Sequence, residues 1–457
     1  MLEAPTAQWD ERLFPYQRVG AERLATSDSL LLADDMGLGK TIQTIAGLKR
    51  LAAEGTLHRA LIVVPASIIP QWRQQLLEWA PRLRFSTVRG AASDRAWKLR
   101  APADIYLTSY ETLRSDFSTN PHSPVGQAWD VAIVDEAQRI KNRDTEASRA
   151  CKALNRRRGW ALTGTPIENQ FDDLASILEF TQPNLPGQPF QPLSRVADVR
   201  RRQGEVQLRR RKVDVLHELP PKMQVQVPLE LGPAQRRAYD RAEQEGIVEL
   251  KRLGTKLTIT HVLELILRLK QICNFCPESG ESSKADDIEQ RLGALKDAGE
   301  KALVFSQFTG EHFGLAQLGK RLARFRPLVY SGELDTETRA REIDKFNRES
   351  DRRVLLLSLR AGGLGLNLQS ASYVFHFDRW WNPAVERQAE DRAHRMGQEN
   401  PVFVYTYICR GTVEERIEEI LREKTDLFDS VVDGPNVGGA GLSEGELRRV
   451  VRLDEAR

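Results

Sequence analysis

The sequence predicts an α/β fold of two lobes, each a parallel sheet covered by helices, with a helical insert between them and a C-terminal bracing helix. Three observations predict it. Short apolar runs alternate with helical patterns in two separate blocks, and such alternation places parallel strands beneath covering helices. The stretch between the blocks has no comparable strand series. A length of 457 residues with 40% hydrophobic content suffices for two or more domains with proper cores.

In the first block the strand-like runs are Leu30 to Ala33, Ala60 to Val64, Asp104 to Thr108, Val131 to Val134 and Trp160 to Leu162. Residues 1–180 are therefore read as the first lobe. Residues 181–287 read as an insert and linker, with a Pro/Gly-rich turn at Pro183 to Pro192 and Val262, Leu263, Ile266, Leu269 and Ile272 at helical spacing. The second lobe, 288–432, has runs at Ala302 to Ser306, Pro327 to Tyr330, Val354 to Leu359, Tyr373 to Phe377 and Val402 to Tyr407. Thr412 and Glu415 are spaced as a capping box, and an apolar face runs from Val413 to Phe428. The tail, 433–457, holds a glycine-rich break, Gly434 to Gly441, and a short helix capped by Ser443 and Glu446.

Composition narrows the function classes. The net charge of +3 comes from 67 basic and 64 acidic residues, so an anionic partner has to be met by local patches. Eight basic residues fall between Arg195 and Lys212 against Asp198 and Glu205; Arg200, Arg201 and Arg202 are the candidates there for tracking phosphates, although a solvated face is as common an outcome for such a run. No apolar run approaches membrane-spanning length and no signal pattern opens the chain, which predicts a soluble intracellular protein without membrane contact. Four cysteines fit a reducing compartment, and the single C-x-x-C, Cys273 and Cys276, follows an apolar helix as packing residues do.

The chemistry concentrates in two places. Asp34-Asp35-Met36-Gly37-Leu38-Gly39-Lys40-Thr41 follows a strand and opens a helix, the arrangement in which backbone N–H groups and a helix N-terminus face phosphates. Lys40 would reach the anion and Thr41 could ligate magnesium; Asp34 stands where the P-loop pattern has its first glycine. Downstream, Val131 to Val134 ends in Asp135-Glu136. Asp135 could hold the metal and Glu136 could orient or activate water, while the bland reading of such a pair is a helix N-cap. In the second lobe, Gln388, Arg392 and Arg395 fall three or four residues apart on a helical pattern and so share a face. Two guanidinium groups there could clamp phosphoryl oxygens as charge develops. Trp380-Trp381 reads better as a core pair than as a base-stacking platform.

With these residues the chain resembles the SWI/SNF-like remodelling and repair ATPases of helicase superfamily two. The motifs run in family order from Leu13 to about Asp429: Leu13 to Gln17, Asp35 to Thr41, Val63 to Pro65 with Gln71-Trp72, Thr108 to Tyr110, Asp135 to Gln138, Thr163 to Pro166, Arg209 to Asp214 with Leu219-Pro220, Val304 to Phe308, Tyr330 to Gly332, Ala361 to Asn367, Trp381 to Pro383, and Gln388 to Gln398. The resemblance implies two RecA-like lobes, ATP and Mg2+ as cofactors, and movement on double-stranded DNA without sequence preference or strand separation. It implies a nucleotide site of Tyr16, Gln17, Asp35, Met36, Gly37, Leu38, Gly39, Lys40, Thr41 and Gly365, with Gln17 reading adenine and Arg392 and Arg395 as fingers. It implies DNA contacts from Ser109, Tyr110, Thr163, Ser306, Gln307, Ala361, Gly362 and Gly363, with Thr163 and Thr165 coupling ATP state to grip.

Two departures stand out. Asp35 replaces the commoner glutamate, and the stretch from Phe180 to Leu208 is shorter than the helical protrusion of many relatives, which argues against a nucleosome-specific role. A monomer is expected, cytoplasmic and nucleoid-associated in a prokaryote or nuclear in a eukaryote. The arginine-rich, cysteine-poor composition favours a prokaryotic source, and a protein partner or preceding module is left open. The rival readings are a strand-separating DNA or RNA helicase, an RNA-polymerase-associated recycling ATPase, and a non-catalytic nucleic-acid-binding module.

Overall fold

The computed structural model describes residues 9–119, 123–164, 171–216, 218–359, 366–430 and 443–453. The chain divides into two compact units, Met1–His217 and Glu218–Arg457. Thr165, Pro166, Ala361 to Gly363, Gly365 and the break at Gly434 to Gly441 lie outside the described residues, as do the side chains from Lys424 to Ser430.

In the first unit the strands are β1 (Ser29–Leu32), β2 (Ala60–Val64), β3 (Phe85–Thr87), β4 (Ile105–Ser109), β5 (Ala128–Asp135), β6 (Asn155–Leu162) and β7 (Gln207–Leu208). Among the described residues they form one sheet in the order β3-β4-β2-β5-β6-β1-β7, with every pair parallel. β2 reads as an unbroken apolar run because helices cover both faces, whereas β6, also an inner strand, opens on Asn-Arg-Arg-Arg. β2 and β4 are buried along their whole length. Two clusters form, one on each side of the sheet: Leu31, Ala132, Ala161 and Phe180 belong to one, Leu32, Ile62, Ile133 and Trp160 to the other. Alternate residues of a strand point to opposite faces, which divides them this way.

Register sets up the functional edge. Leu162 of β6 lies opposite both Leu32 of β1 and Asp135 of β5. The segments that leave these three strands, 33–39, Glu136 onward and Thr163 onward, therefore start from one row at the carboxyl edge of the sheet, where ligands of open parallel sheets bind.

The second unit has β8 (Lys222–Leu229), β9 (Ala302–Ser306), β10 (Leu328–Tyr330), β11 (Val354–Ser358), β12 (Tyr373–His376) and β13 (Val402–Cys409). Its described sheet, also all parallel, runs β10-β11-β9-β12-β13-β8. Helices Pro233–Leu253, Ile259–Asn274, Val413–Ser430 and Glu444–Val450 share one apolar cluster that includes Val262, Ile266, Leu269, Ile272, Val413, Ile417, Ile420 and Leu421. Ser443 and Glu446 form the expected capping box.

The stretch 181–287 is shared between the units. Helix Val196–Val206 and β7 belong to the first, while β8 and two long helices belong to the second. β8 reads Lys-Met-Gln-Val-Gln-Val-Pro-Leu and sits at the sheet edge with one polar face, yet it pairs with β13 over eight residues. All four cysteines are buried and unbridged. Cys273, Cys409 and Glu414 are the one described cluster of three donors of metal-ligand type. Both Glu414 oxygens there already accept, from Lys284 Nζ at 2.6 Å and from the Cys409 N–H at 3.1 Å. That set serves as a brace: Lys284 also bonds Asn274, which donates to Asp378.

Candidate functional site

The segment after β1 turns through Gly37 and Gly39, both at positive φ (85° and 73°), and Gly39 caps helix Lys40–Ala53. Side chains other than glycine rarely adopt that conformation. The turn folds Lys40 inward, where Nζ donates to the carbonyls of Asp34 (2.7 Å) and Asp35 (3.1 Å). Burial pushes its pKa down, and the charges of Glu136, Asp34, Asp135 and Asp35 pull it back up. A positive group is thus held deep in an acidic surround. A Cβ added at Gly164, the residue after Thr163, would lie 3.1 Å from Lys40 Nζ, so the end of β6 closes over the lysine.

Asp135 is 8% exposed. Its Oδ2 accepts from Trp72 Nε1 at 2.8 Å and its Oδ1 from the Glu136 N–H at 2.9 Å. Burial first, and the neighbouring Glu136 charge second, raise its pKa from 3.8 to about 6. Each carboxylate oxygen keeps a lone pair. With the Thr41 hydroxyl these are hard oxygen donors of the kind magnesium takes, and a cation would relieve the crowding of two adjacent carboxylates. Glu136 has φ 55° and ψ 54°, a left-handed conformation that costs a non-glycine residue energy and recurs at functional sites.

A hydrogen-bonded path leads away from Glu136. Gln138 Nε2 donates to Glu136 Oε2 at 2.6 Å, and Thr163 Oγ1 donates to Gln138 Oε1 at 3.1 Å. Tyr110 OH donates to the Asp135 carbonyl at 2.7 Å. Gln17 is 1% exposed, and its amide is engaged by the Leu38 carbonyl and the Phe14 N–H. Tyr16 is buried beside it; burial, with the Asp34 charge second, drives its phenol pKa up.

In the second unit the helix that starts at Pro383 stops at Glu390, which corrects the expectation of one helical face for Gln388, Arg392 and Arg395. Only Gln388 is helical. The chain beyond is tied to the 366–371 segment: Leu368 N–H donates to the Arg392 carbonyl, and Gln398 Nε2 donates to the carbonyls of Gln369 and Ala371. Those bonds, with Gly397 at φ 87°, replace the helical ladder. Arg392 and Arg395 are half-buried on the resulting turns. Burial, then the Arg392 charge, lowers Arg395 to about 10. Glu390 is held well below the ordinary carboxylate range by His376 and Lys222 against its burial.

Several candidate DNA contacts are spent internally. Ser109 caps the helix that follows it through Thr112. Ser306 is fully buried on Asp378, which also accepts from the Gln307 N–H at 3.0 Å. Arg200 and Arg201 are exposed, with Arg201 paired to Asp198 at 3.2 Å, whereas Arg202 is half-buried beside Glu205 and burial lowers its pKa. Trp381 packs on the helical cluster under Lys270 Nζ, 4.5 Å from its ring, and Trp380 on the sheet. Sequence reasoning missed the indole of Trp72 as a partner of Asp135 and the pairing of Asp34 with Arg210. Gln71-Trp72 was a visible motif, but only the fold supplies its partner.

The model of the SNF2-related domain matches residues 16–277. The chain belongs to the SNF2-related family. The second unit of this SNF2-related chain carries a further match, to the helicase conserved C-terminal domain over residues 283–397. Among its relatives, an uncharacterized ATP-dependent helicase of Mycoplasma genitalium is 34% identical over 87% of this chain and 40% of its own length. The putative ATP-dependent helicase/translocase YwqA of Bacillus subtilis is 34% identical over 93% of this chain and 49% of its own. The SNF2-related chain thus spans two fifths to one half of these relatives. A solved SWI2/SNF2 ATPase core of Sulfolobus solfataricus in complex with dsDNA is 31% identical, covers 97% of both chains and aligns with a TM-score of 0.43. No described helix is long and apolar enough to cross a membrane.

Proposed function

We propose that this chain is the motor core of an ATP-dependent translocase on double-stranded DNA. It hydrolyses ATP to ADP and phosphate and moves along the duplex to remodel or displace bound protein, without separating the strands. The observation that carries the reading is the path Thr163–Gln138–Glu136, which starts at the same sheet edge as the phosphate loop. A change at Thr163 would alter the hydrogen bond that holds Glu136, so grip on a polymer and activation of water are linked through two side chains. The Bacillus subtilis relative named as a helicase/translocase supports movement along a nucleic-acid track.

In this reading the amides of 36–41 and Lys40 bind the phosphates, Thr41 and Asp135 hold Mg2+, Glu136 orients the attacking water, and Arg392 and Arg395 offset phosphoryl charge. Magnesium, when bound, would neutralise phosphate oxygens. ATPase rates with duplex DNA, single-stranded DNA and RNA, run beside triplex displacement, test the reading. Stimulation by duplex with displacement of a third strand is expected. Release of a labelled strand from a plain duplex would make the chain a strand-separating helicase, and no hydrolysis under any condition would make it a binding module.

Two further results are expected. Asp135 is protonated below about pH 6 and ionised above it; the proton is held more tightly than the ordinary value of 3.8 allows. Affinity for Mg2+ with a fluorescent ADP analogue should therefore fall as pH drops through about 6, and raising Mg2+ should move the midpoint lower. Binding that stays level to pH 5 would count against Asp135 as the metal ligand. Reversing the charge of Arg200 and Arg201 should raise the duplex concentration needed for half-stimulation, and should reduce the salt slope by about 1 per lost phosphate contact. An unchanged titration would make this helix a solvated face.

A further inference from the structure

We propose that Arg210 is a positioning residue for the phosphate loop, acting through Asp34; the inference rests on the nucleotide-site reading above. Arg210 falls within the basic run that sequence offers as a DNA patch, but its guanidinium turns inward. Its Nε donates to Asp34 Oδ1 at 2.9 Å and its Nη2 to Asp34 Oδ2 at 2.5 Å. This two-point fork is the geometry in which arginine binds a carboxylate most specifically. Asp34 is fully buried, at 0% exposure, and occupies the position at which a P-loop has its first glycine. A buried carboxylate there needs a fixed partner.

The surroundings are built around the pair. Gln43 of the loop's own helix donates to Asp34 Oδ2 at 3.1 Å and accepts from Arg210 Nη2 at 2.8 Å. Arg210 Nη1 donates to the Tyr16 carbonyl, and the guanidinium lies 5.3 Å from the Tyr16 ring centroid. Gly20 leaves the room, since a Cβ there would come within 1.8 Å of Gln43 Oε1 and 2.9 Å of Arg210 Nη2. The backbone runs alongside as well: Ala33 N–H donates to the Leu208 carbonyl (2.8 Å), Asp35 N–H to the Arg210 carbonyl (3.0 Å) and Lys212 N–H to Asp35 Oδ2 (3.0 Å).

The Asp34 and Asp35 carbonyls that hold Lys40 are thereby fixed by a segment 176 residues downstream of Asp34. Segment 207–212 also leads out of the first unit toward Glu218. Nucleotide occupancy at the loop is therefore expected to change the protection of segment 207–212.

Arg210→Lys and Arg210→Gln test this through KM and kcat for ATP at saturating duplex, fluorescent ADP affinity and thermal melting. Lysine keeps the charge but lacks the fork. The glutamine variant should lose about 10²-fold in kcat/KM. The lysine variant should recover the melting temperature while its KM for ATP stays raised by about tenfold, the size a small misplacement of the loop produces. A lysine variant with wild-type KM and ADP affinity overturns the inference; a wild-type protein that neither binds nor hydrolyses ATP overturns the nucleotide-site reading instead. Hydrogen exchange of the unaltered protein provides a second arm. ADP with Mg2+ should slow exchange in 207–212 together with 34–41, and protection confined to 34–41 overturns the proposal even if both variants fail to fold.

Discussion

Glu136→Gln is expected to lower ATP turnover by about 10²- to 10⁴-fold, the share a positioned general base contributes, while ATP binding persists. The amide has the shape of the carboxylate and can still accept from Gln138 Nε2, which lies 2.6 Å from Glu136 Oε2. It cannot take a proton from water. Lys40→Ala should also abolish turnover, but by a different route. Lys40 is the cation buried among Glu136, Asp34, Asp135 and Asp35, so removing it leaves those carboxylates to repel the triphosphate. Phosphate release combined with fluorescent ATP titration separates the two. If Glu136→Gln turns over at the wild-type rate, the base has been misassigned; if Lys40→Ala binds ATP normally, the loop is not the phosphate site.

Arg392→Ala is expected to cut the maximal rate by about 10³- to 10⁵-fold, as loss of an arginine finger does in phosphoryl-transfer enzymes, with nucleotide affinity nearly unchanged. Burial, and after it the Arg392 charge, lowers the Arg395 pKa, and an anion would relieve the repulsion between the two guanidinium groups. A phosphate-release assay giving the Arg392 variant wild-type speed would remove both arginines from the reaction.

Much of the fold was legible because the central strands carry the strongest signal. β2, β4, β9 and β11 are buried at every residue, and each opens on three or more apolar residues in a row. The edge strands β3, β7 and β8 do not. β3 and β7 are three and two residues long, and β8 keeps a polar face. At the site, the loop from Asp34 to Thr41 and the pair Asp135-Glu136 were readable from local spacing. Trp72 and Arg210 act across long stretches of chain, and no local pattern shows such pairings; Gln138 stands two residues from Glu136 but reaches Thr163 only through the fold. The end of the Gln388 helix was likewise unreadable, because the bonds that unwind it come from 366–371. Ser306, a DNA contact by resemblance, has its hydroxyl spent on Asp378, a partner 72 residues away that local sequence does not show.

The sheet order of the first unit also bears on how the chain is born. Of the strands described in this sheet β1 is the first to be made, yet it lies between β6 and β7, the last two. Its two partner strands come far later in the chain, and closing so long a loop is slow. The nascent chain should therefore lean on chaperones through that interval, and a ribosome stalled short of Arg210 would hold a first unit with no finished pocket.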